Sequence, residues 1–138
     1  VGFKYHGNSI MAGIGLVGLK YLEQDNAYRR QLASWYDEAL AGCAAIGRVE
    51  VAPDCESSRH LYQVMVDRRD EVMVALNREQ IFPGVHYRDN SVYAMYRNQP
   101  DCPRARRASD RLISLPMHLR LDRADVHRVC AALIAAVR

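Results

Sequence analysis

The sequence predicts an α+β fold, in which helices cover one face of a small, mostly antiparallel sheet. Its hydrophobic periodicity gives the element order helix, helix, strand, strand, helix, strand, helix, helix, and this order is typical of that fold class. A chain of 138 residues with 49% hydrophobic and 25% charged residues fits one globular domain with its own core. The predicted domain is residues 1–138.

The first two elements are predicted to form a long, bent N-terminal helix, better drawn as two consecutive helices. Apolar residues recur at helical spacing through about residues 8–41. Asn8 or Ser9 can cap the first turn, and Gly42 is typical of a helix end. Because this span exceeds most globular helices, we expect a bend near residues 24–26.

The middle of the chain is predicted to contain three strands and one helix. The predicted strands are residues 49–51, 60–66 and 81–87, and the predicted helix is residues 67–77. Pro53 ends the first strand, and HLYQVMV in the second is the strongest strand signal in the chain. Pro83 and Gly84 lie within the third strand, which therefore is expected at a sheet edge or at a bulge.

Residues 88–103 are predicted to form a loop with one helical turn at 92–96, followed by a helix over 104–112 and the short extended piece ISLP. The helix carries four arginines, at Arg104, Arg106, Arg107 and Arg111. A basic helix can bind nucleic acid, but aspartates are interspersed and no run of stacking aromatic residues accompanies it. A solvated helix face is the favoured interpretation.

The last helix has the clearest start signal. Asp122 is placed to cap it, Asp125 completes an acidic capping box, and Leu121 can pack against Val126 as a hydrophobic staple. The residues that follow form one apolar stripe, which consists of Val126, Val129, Cys130, Leu133, Ile134 and Val137.

Composition narrows the class of protein. No apolar run approaches the roughly 18 residues that cross a bilayer, and the N-terminus lacks signal-peptide order, so a cytoplasmic location is expected. The four cysteines are widely separated without a CxxC pair, which predicts reduced thiols. The histidines at 60, 86, 118 and 127 have no i, i+4 spacing, so no metal site is predicted.

Three glycines near the N-terminus, Gly13, Gly15 and Gly18, spell the dinucleotide-binding pattern GxGxxG. That pattern requires a strand before the first glycine, whereas here apolar residues at helical spacing run through all three. We therefore interpret the glycines as internal to a helix. Their cost of roughly 1 kcal/mol each in a helix interior suggests close packing against another backbone.

Four sequence blocks resemble one known family. GFKYHGNSIMAGIGLVGL at 2–19 is similar to the start of the small domain in DegT/StrS-type pyridoxal-phosphate-dependent sugar-nucleotide aminotransferases, with departures at His6, Gly7, Ser9 and Gly13. HLYQVMV at 60–66, GVHY at 84–87 and SLPMHLRL at 114–121 resemble later blocks of the family in the same order. The resemblance spans nearly the whole chain.

The resemblance implies the small domain of a fold-type I aminotransferase, whose large domain holds pyridoxal phosphate on a lysine. In the family that lysine precedes the GFKY block, so the resemblance places it outside this chain. No catalytic residue is therefore predicted here. Two lysines are present, Lys4 and Lys20, and Lys20 is interpreted as a solvated residue on the helix after the motif.

Lys4 and His6 are the predicted cofactor-binding residues. In relatives an asparagine of this segment reaches the phosphate of the cofactor in the neighbouring subunit of the dimer. His6 or Lys4 occupies that place here, depending on which version of the pattern is aligned. Both side chains can donate to a phosphate. The alternative is an exposed, flexible terminus.

His86, Tyr87 and Arg88 are the predicted substrate-binding residues. They lie where a predicted strand ends and a loop begins, a common place for functional side chains. By resemblance this loop faces the nucleotide sugar, with His86 and Arg88 toward its diphosphate and Tyr87 against the sugar. For His86 a structural hydrogen bond is the alternative role.

The resemblance thus implies transfer of an amino group, typically from glutamate, to a nucleotide-linked keto-deoxysugar in amino-sugar and polysaccharide biosynthesis. The expected partners are the large domain of the same enzyme or a second subunit of a homodimer, with neither nucleic acid nor a membrane. The chain alone is expected to be inactive. The alternative is a non-catalytic remnant, or a dimerisation or interaction module that associates through the apolar first helix.

Overall fold

The computed structural model describes residues 7–96 and 100–138, in which five α-helices accompany a three-stranded sheet. The helices are α1 (Ser9–Leu19), α2 (Leu22–Ala39), α3 (Arg69–Arg78), α4 (Pro103–Arg111) and α5 (Arg123–Ala136). The strands are β1 (Gly47–Arg48), β2 (Tyr62–Met65) and β3 (Leu112–Leu115). Two short 3-10 turns lie at Asn90–Val92 and Ala94–Tyr96. The predicted α+β fold is confirmed.

The sheet has the order β1-β2-β3, and both pairs are antiparallel. Tyr62 pairs with Leu115 and Met65 with Leu112, so β2 and β3 match over their full lengths. Alternate residues of β2, Tyr62 and Val64, are buried, because successive side chains of a strand point to opposite faces. One face of β2 therefore contributes to the core.

The core lies between the sheet and helices α2, α3 and α5. Its largest fully buried side chains include Leu32 and Tyr36 of α2 and Leu133 of α5. Burying a leucine of this kind stabilises the fold by about 2 kcal/mol relative to leaving it exposed. Cys130 is also buried in this cluster, and burial raises the pKa of its thiol to about 12.

Two stacked tyrosines connect α2 to the strands through their hydroxyl groups. The rings of Tyr36 and Tyr62 are stacked with centroids 4.6 Å apart. The Tyr36 hydroxyl donates to the Pro116 carbonyl at 2.8 Å, and the Tyr62 hydroxyl donates to Asp37 Oδ1 at 2.7 Å. Burial raises the pKa of both phenols. Both polar ends are therefore satisfied inside a largely apolar region.

The start of α5 follows the predicted capping box. The backbone N–H of Asp125 donates to Asp122 Oδ1 at 2.9 Å, and the backbone N–H of Asp122 donates to Asp125 Oδ2 at 3.1 Å. The two carboxylates thus satisfy two otherwise unpaired N–H groups at the helix start. Leu121 and Val126, the predicted staple, are both buried in the core cluster.

Three element boundaries differ from the sequence prediction. The N-terminal helix is interrupted at Lys20 and Tyr21, before the expected bend at 24–26. Residues 49–51 lie outside the sheet, because β1 meets β2 only through Gly47 and Arg48. Residues 81–87 form no strand: Gly84 alone bridges to β3, and Pro83 before it has no N–H to donate.

Candidate functional site

The predicted substrate-binding residues follow the point where the chain touches the edge of β3. Ser114 pairs with Gln63 of β2 on one side. On its other side, Gly84 N–H donates to the Ser114 carbonyl at 2.9 Å, and Ser114 N–H donates to the Gly84 carbonyl at 2.8 Å. The sheet therefore fixes the backbone two residues before His86.

His86 is half-buried and its imidazole lies over Gly84. A Cβ atom added at Gly84 would lie 2.6 Å from His86 Cε1, closer than such atoms approach. The Gln63 side-chain amide donates to the His86 carbonyl. The imidazole and the Tyr87 ring meet edge to face, with their ring centroids 5.1 Å apart. Within the described residues, His86 Nδ1 is buried without a hydrogen-bond partner. The imidazole is thus placed by its neighbours, with one nitrogen unpaired.

Tyr87 and Arg88 project from the same segment into solvent. Tyr87 is 75% exposed, and Arg88 is also exposed. Both line a cavity of about 570 Å³ that extends to Ser91, Tyr96 and α4. An exposed aromatic ring beside a guanidinium suits a ligand that has both a stacking surface and an anionic group.

Asp89, the next residue, was not selected by sequence reasoning. Hydrogen bonds from Ser91 hold the pKa of its carboxyl below its ordinary value, and Arg106 adds a smaller effect in the same direction. The Asp89–x–Ser91 spacing is the available signal, because an aspartate commonly accepts from the backbone two residues later. Its contact with α4 comes from the fold and has no local pattern.

No histidine of the described residues lines this cavity. Within residues 7–96 and 100–138, no cluster of three or more His, Cys, Asp or Glu side chains is arranged to hold a metal ion. His118 accepts from the Arg120 backbone N–H at 3.3 Å, a local structural contact.

None of the helices in the described part of the chain is both long and apolar enough to cross a lipid bilayer.

The arginines of α4 are arranged as a solvated, partly paired face. Arg106 donates to Asp101 at 2.8 Å, and Arg111 lies 3.0 Å from Asp67. Arg104 and Arg107 are exposed. This arrangement supports the interpretation as a solvated helix surface.

Helix α1 contains the three glycines, as predicted, but residues 7–96 and 100–138 do not supply the packing partner expected for them. Beyond the neighbouring residues of the helix itself, no atom of the described residues lies within 4 Å of the position that a Cβ at Gly13, Gly15 or Gly18 would take. No residue of α1 is buried. Its large apolar side chains are all more than half exposed, namely Ile10, Met11, Ile14, Leu16, Val17 and Leu19. Within the described residues, the close backbone contact expected from the glycines is therefore not made.

The predicted cofactor-binding residues Lys4 and His6 lie outside the described residues. Lys20, which the structure does describe, is exposed at the end of α1. Its backbone N–H donates to the Val17 carbonyl at 3.1 Å. A lysine that holds pyridoxal phosphate is enclosed with its cofactor. In the described residues Lys20 is not enclosed, and it shares this exposure with the whole of α1.

Comparison with known proteins identifies the family. Residues 1–134 match the model of the DegT/DnrJ/EryC1/StrS aminotransferase family, and the chain belongs to this family. The match covers all four sequence blocks and the segment that contains His86, Tyr87 and Arg88.

Solved structures of sugar aminotransferases share the fold. The aminotransferase TlmJ from Streptoalloteichus hindustanus is 27% identical with a TM-score of 0.87, over 94% of this chain and 36% of TlmJ. S. venezuelae DesV, solved in complex with a ketimine intermediate, is 30% identical with a TM-score of 0.86, over 93% of this chain and 36% of DesV. The sugar aminotransferase CalS13 from Micromonospora echinospora is 26% identical with a TM-score of 0.87, over 97% of this chain and 37% of CalS13.

The chain therefore spans little more than a third of the length of these relatives. They are fold-type I aminotransferases, and the helices and antiparallel sheet described above correspond to one part of that fold.

Proposed function

We propose that this chain is the C-terminal small domain of a pyridoxal-phosphate-dependent aminotransferase. The complete enzyme transfers an amino group from glutamate to a keto-deoxysugar linked to a nucleoside diphosphate, in the cytoplasmic synthesis of amino sugars and polysaccharides. The observation that carries the proposal is the family match over residues 1–134. The partial coverage of each solved relative supports the assignment to one domain.

The cofactor belongs to the complete enzyme. Pyridoxal phosphate, when bound, supplies an electron sink that weakens bonds at the carbon bearing the amino group. Because the family places the attachment lysine before the GFKY block, we assign covalent attachment to a lysine outside residues 1–138. Lys4 and His6 are proposed as hydrogen-bond donors to the cofactor phosphate, and the chain alone is proposed to be inactive.

The chain's own contribution is to bind and orient the nucleotide sugar. Arg88 presents a guanidinium to solvent and can bind a diphosphate through two parallel hydrogen bonds. Tyr87 offers an exposed ring face for the sugar. His86 is held between Gly84 and Tyr87, where its imidazole can donate to the same diphosphate.

Helix α1 is the proposed docking element. Its apolar side chains point in all directions around the helix axis, and none is buried. A helix that is apolar all round is normally enclosed by protein. We assign its cover to the large domain of the same enzyme or to the second subunit of a homodimer, and the glycines permit the close backbone approach that such a contact involves.

A second candidate function is favoured by the same helix. An exposed apolar surface of this kind can drive self-association of the 138-residue chain by itself, as a non-catalytic remnant or dimerisation module. The two candidates differ in one respect. The enzyme domain needs the remaining two-thirds of the relatives' length for its role, whereas the module needs only a second copy.

The experiment is an amino-transfer assay on the complete polypeptide that contains this segment, with pyridoxal phosphate and glutamate. A nucleotide-linked keto-deoxysugar should be aminated, and the same sugar without its nucleotide should react poorly. Arg88→Ala should raise KM for the nucleotide sugar at least about tenfold, because a charge-assisted contact is lost. Arg78→Ala, an exposed arginine on α3, is the matched control. Absence of amino transfer to any nucleotide sugar would overturn the proposal.

A further inference from the structure

The loop that presents Tyr87 and Arg88 is attached to helix α4 through a backbone contact. The N–H of Asp89 donates to the Ser109 hydroxyl oxygen at 2.8 Å. Ser109 is buried on α4, and its own carbonyl accepts from the Arg69 guanidinium at 2.7 Å. The attachment point is therefore itself held by α3, and the loop is fixed to a packed part of the fold.

The Asp89 side chain makes a turn with Ser91, two residues further along the loop. This side chain is only 9% exposed. Oδ1 accepts from the Ser91 backbone N–H at 3.0 Å, and Oδ2 accepts from the Ser91 hydroxyl. Arg106 of α4 lies 3.8 Å from Oδ2. These contacts restrict the backbone from Asp89 to Ser91 and hold the carboxylate close to α4.

This restriction falls directly beside the two exposed side chains. Tyr87 and Arg88 immediately precede Asp89, and all three residues line the cavity of about 570 Å³, as does Ser109. A binding residue on a loop loses less conformational entropy when the loop is already held in place. Supporting contacts of this kind set how accurately a binding side chain is placed.

We propose that Asp89 and Ser109 are positioning residues, which hold the loop against α4 so that Tyr87 and Arg88 meet the nucleotide sugar. The inference rests on the proposed function for the identity of the ligand. The attachment of the loop to α4 rests on the contacts alone.

The first test compares Asp89→Ala and Ser109→Ala in the complete polypeptide. Each variant should raise KM for the nucleotide sugar about fivefold to tenfold, because one charge-assisted or buried hydrogen bond is lost. KM for glutamate and kcat should change by less than about twofold, since neither residue touches the reacting atoms. Asp110→Ala is the matched control, because Asp110 is an exposed aspartate on α4 next to Ser109. An unchanged KM for the nucleotide sugar in both variants would overturn the proposal.

The second test needs no activity. Amide hydrogen exchange in the 138-residue chain should accelerate by about tenfold or more at residue 91 in Asp89→Ala and at residue 89 in Ser109→Ala, while amides of β2 and β3 keep their rates. Unchanged exchange at residues 89 and 91 would show that the attachment does not hold the loop. Because this readout involves no substrate, failure of amino transfer in the parent polypeptide would overturn the proposed function separately.

Discussion

At the residue level, Gly84 leaves room for the imidazole of His86, which packs directly against it. The His86 imidazole occupies the space where a side chain at Gly84 would begin, with Cε1 2.6 Å from the ideal Cβ position. Gly84 also makes two backbone hydrogen bonds with Ser114, one as donor and one as acceptor. Glycine thus permits the imidazole and the strand edge to pack against one backbone.

Gly84→Ala should displace the imidazole while leaving the fold intact, because the clashing atom belongs to a side chain that can rotate. We expect KM for the nucleotide sugar to rise by about threefold or more in the complete polypeptide. The unfolding free energy should fall by less than about 1.5 kcal/mol. The matched control is Gly47→Ala, whose added Cβ would meet Met65 at an ordinary 3.4 Å. A nucleotide-sugar KM equal to that of the control would show that the imidazole position does not affect binding.

Some of the contacts described above can be predicted from local sequence spacing, whereas others cannot. The Asp122 and Asp125 capping pair is separated by three residues, so its pattern is visible in the sequence. The Asp89 contact with Ser109 spans 20 residues, and the Gly84 contact depends on how His86 turns back. The contact of Asp89 with Ser109 and the pairing of Gly84 with Ser114 arise from tertiary packing, which no spacing rule encodes.

Among the elements, α1 shows most clearly how a correct local prediction can leave its partner unknown. Helical spacing through Gly13, Gly15 and Gly18 predicted a helix, and the structure has one. The expected packing partner is not among the described residues. Similarly, 60–66 was predicted as a strand and β2 is its central part, whereas 81–87 forms only a bridge at Gly84, because pairing depends on the neighbouring strand.

If α1 is a docking surface, a charge placed on it should weaken association. Ile14→Asp in the 138-residue chain should raise the dissociation constant for self-association at least about tenfold, because the charge would be desolvated at the contact. Sedimentation velocity over a concentration series measures this change. The matched control is Val74→Asp on α3: Val74 is 51% exposed and Ile14 is 63% exposed.

A parent chain that sediments as a monomer at every concentration would remove self-association through α1, and with it the dimerisation-module candidate. Equal effects of the two aspartate substitutions would show that association does not depend on α1 in particular.

Taken together, the described residues form one hydrophobic core, and helix α1 lies outside it with its apolar side chains exposed. The buried side chains of α2, α3, α5 and the sheet form one cluster, whereas α1 contributes no buried residue to it. Both features fit a domain that is folded around its own core and joined to more protein through α1. The family match and the partial coverage of its solved relatives lead to the same interpretation.

We propose that this domain serves a pyridoxal-phosphate enzyme whose attachment lysine lies outside residues 1–138. The most direct test is borohydride reduction of the complete polypeptide in the presence of pyridoxal phosphate, followed by peptide mapping of the labelled lysine. We predict a single labelled lysine located outside residues 1–138, with Lys4 and Lys20 unlabelled. Stoichiometric label on Lys4 or Lys20, or no specific label on any lysine, would contradict the account.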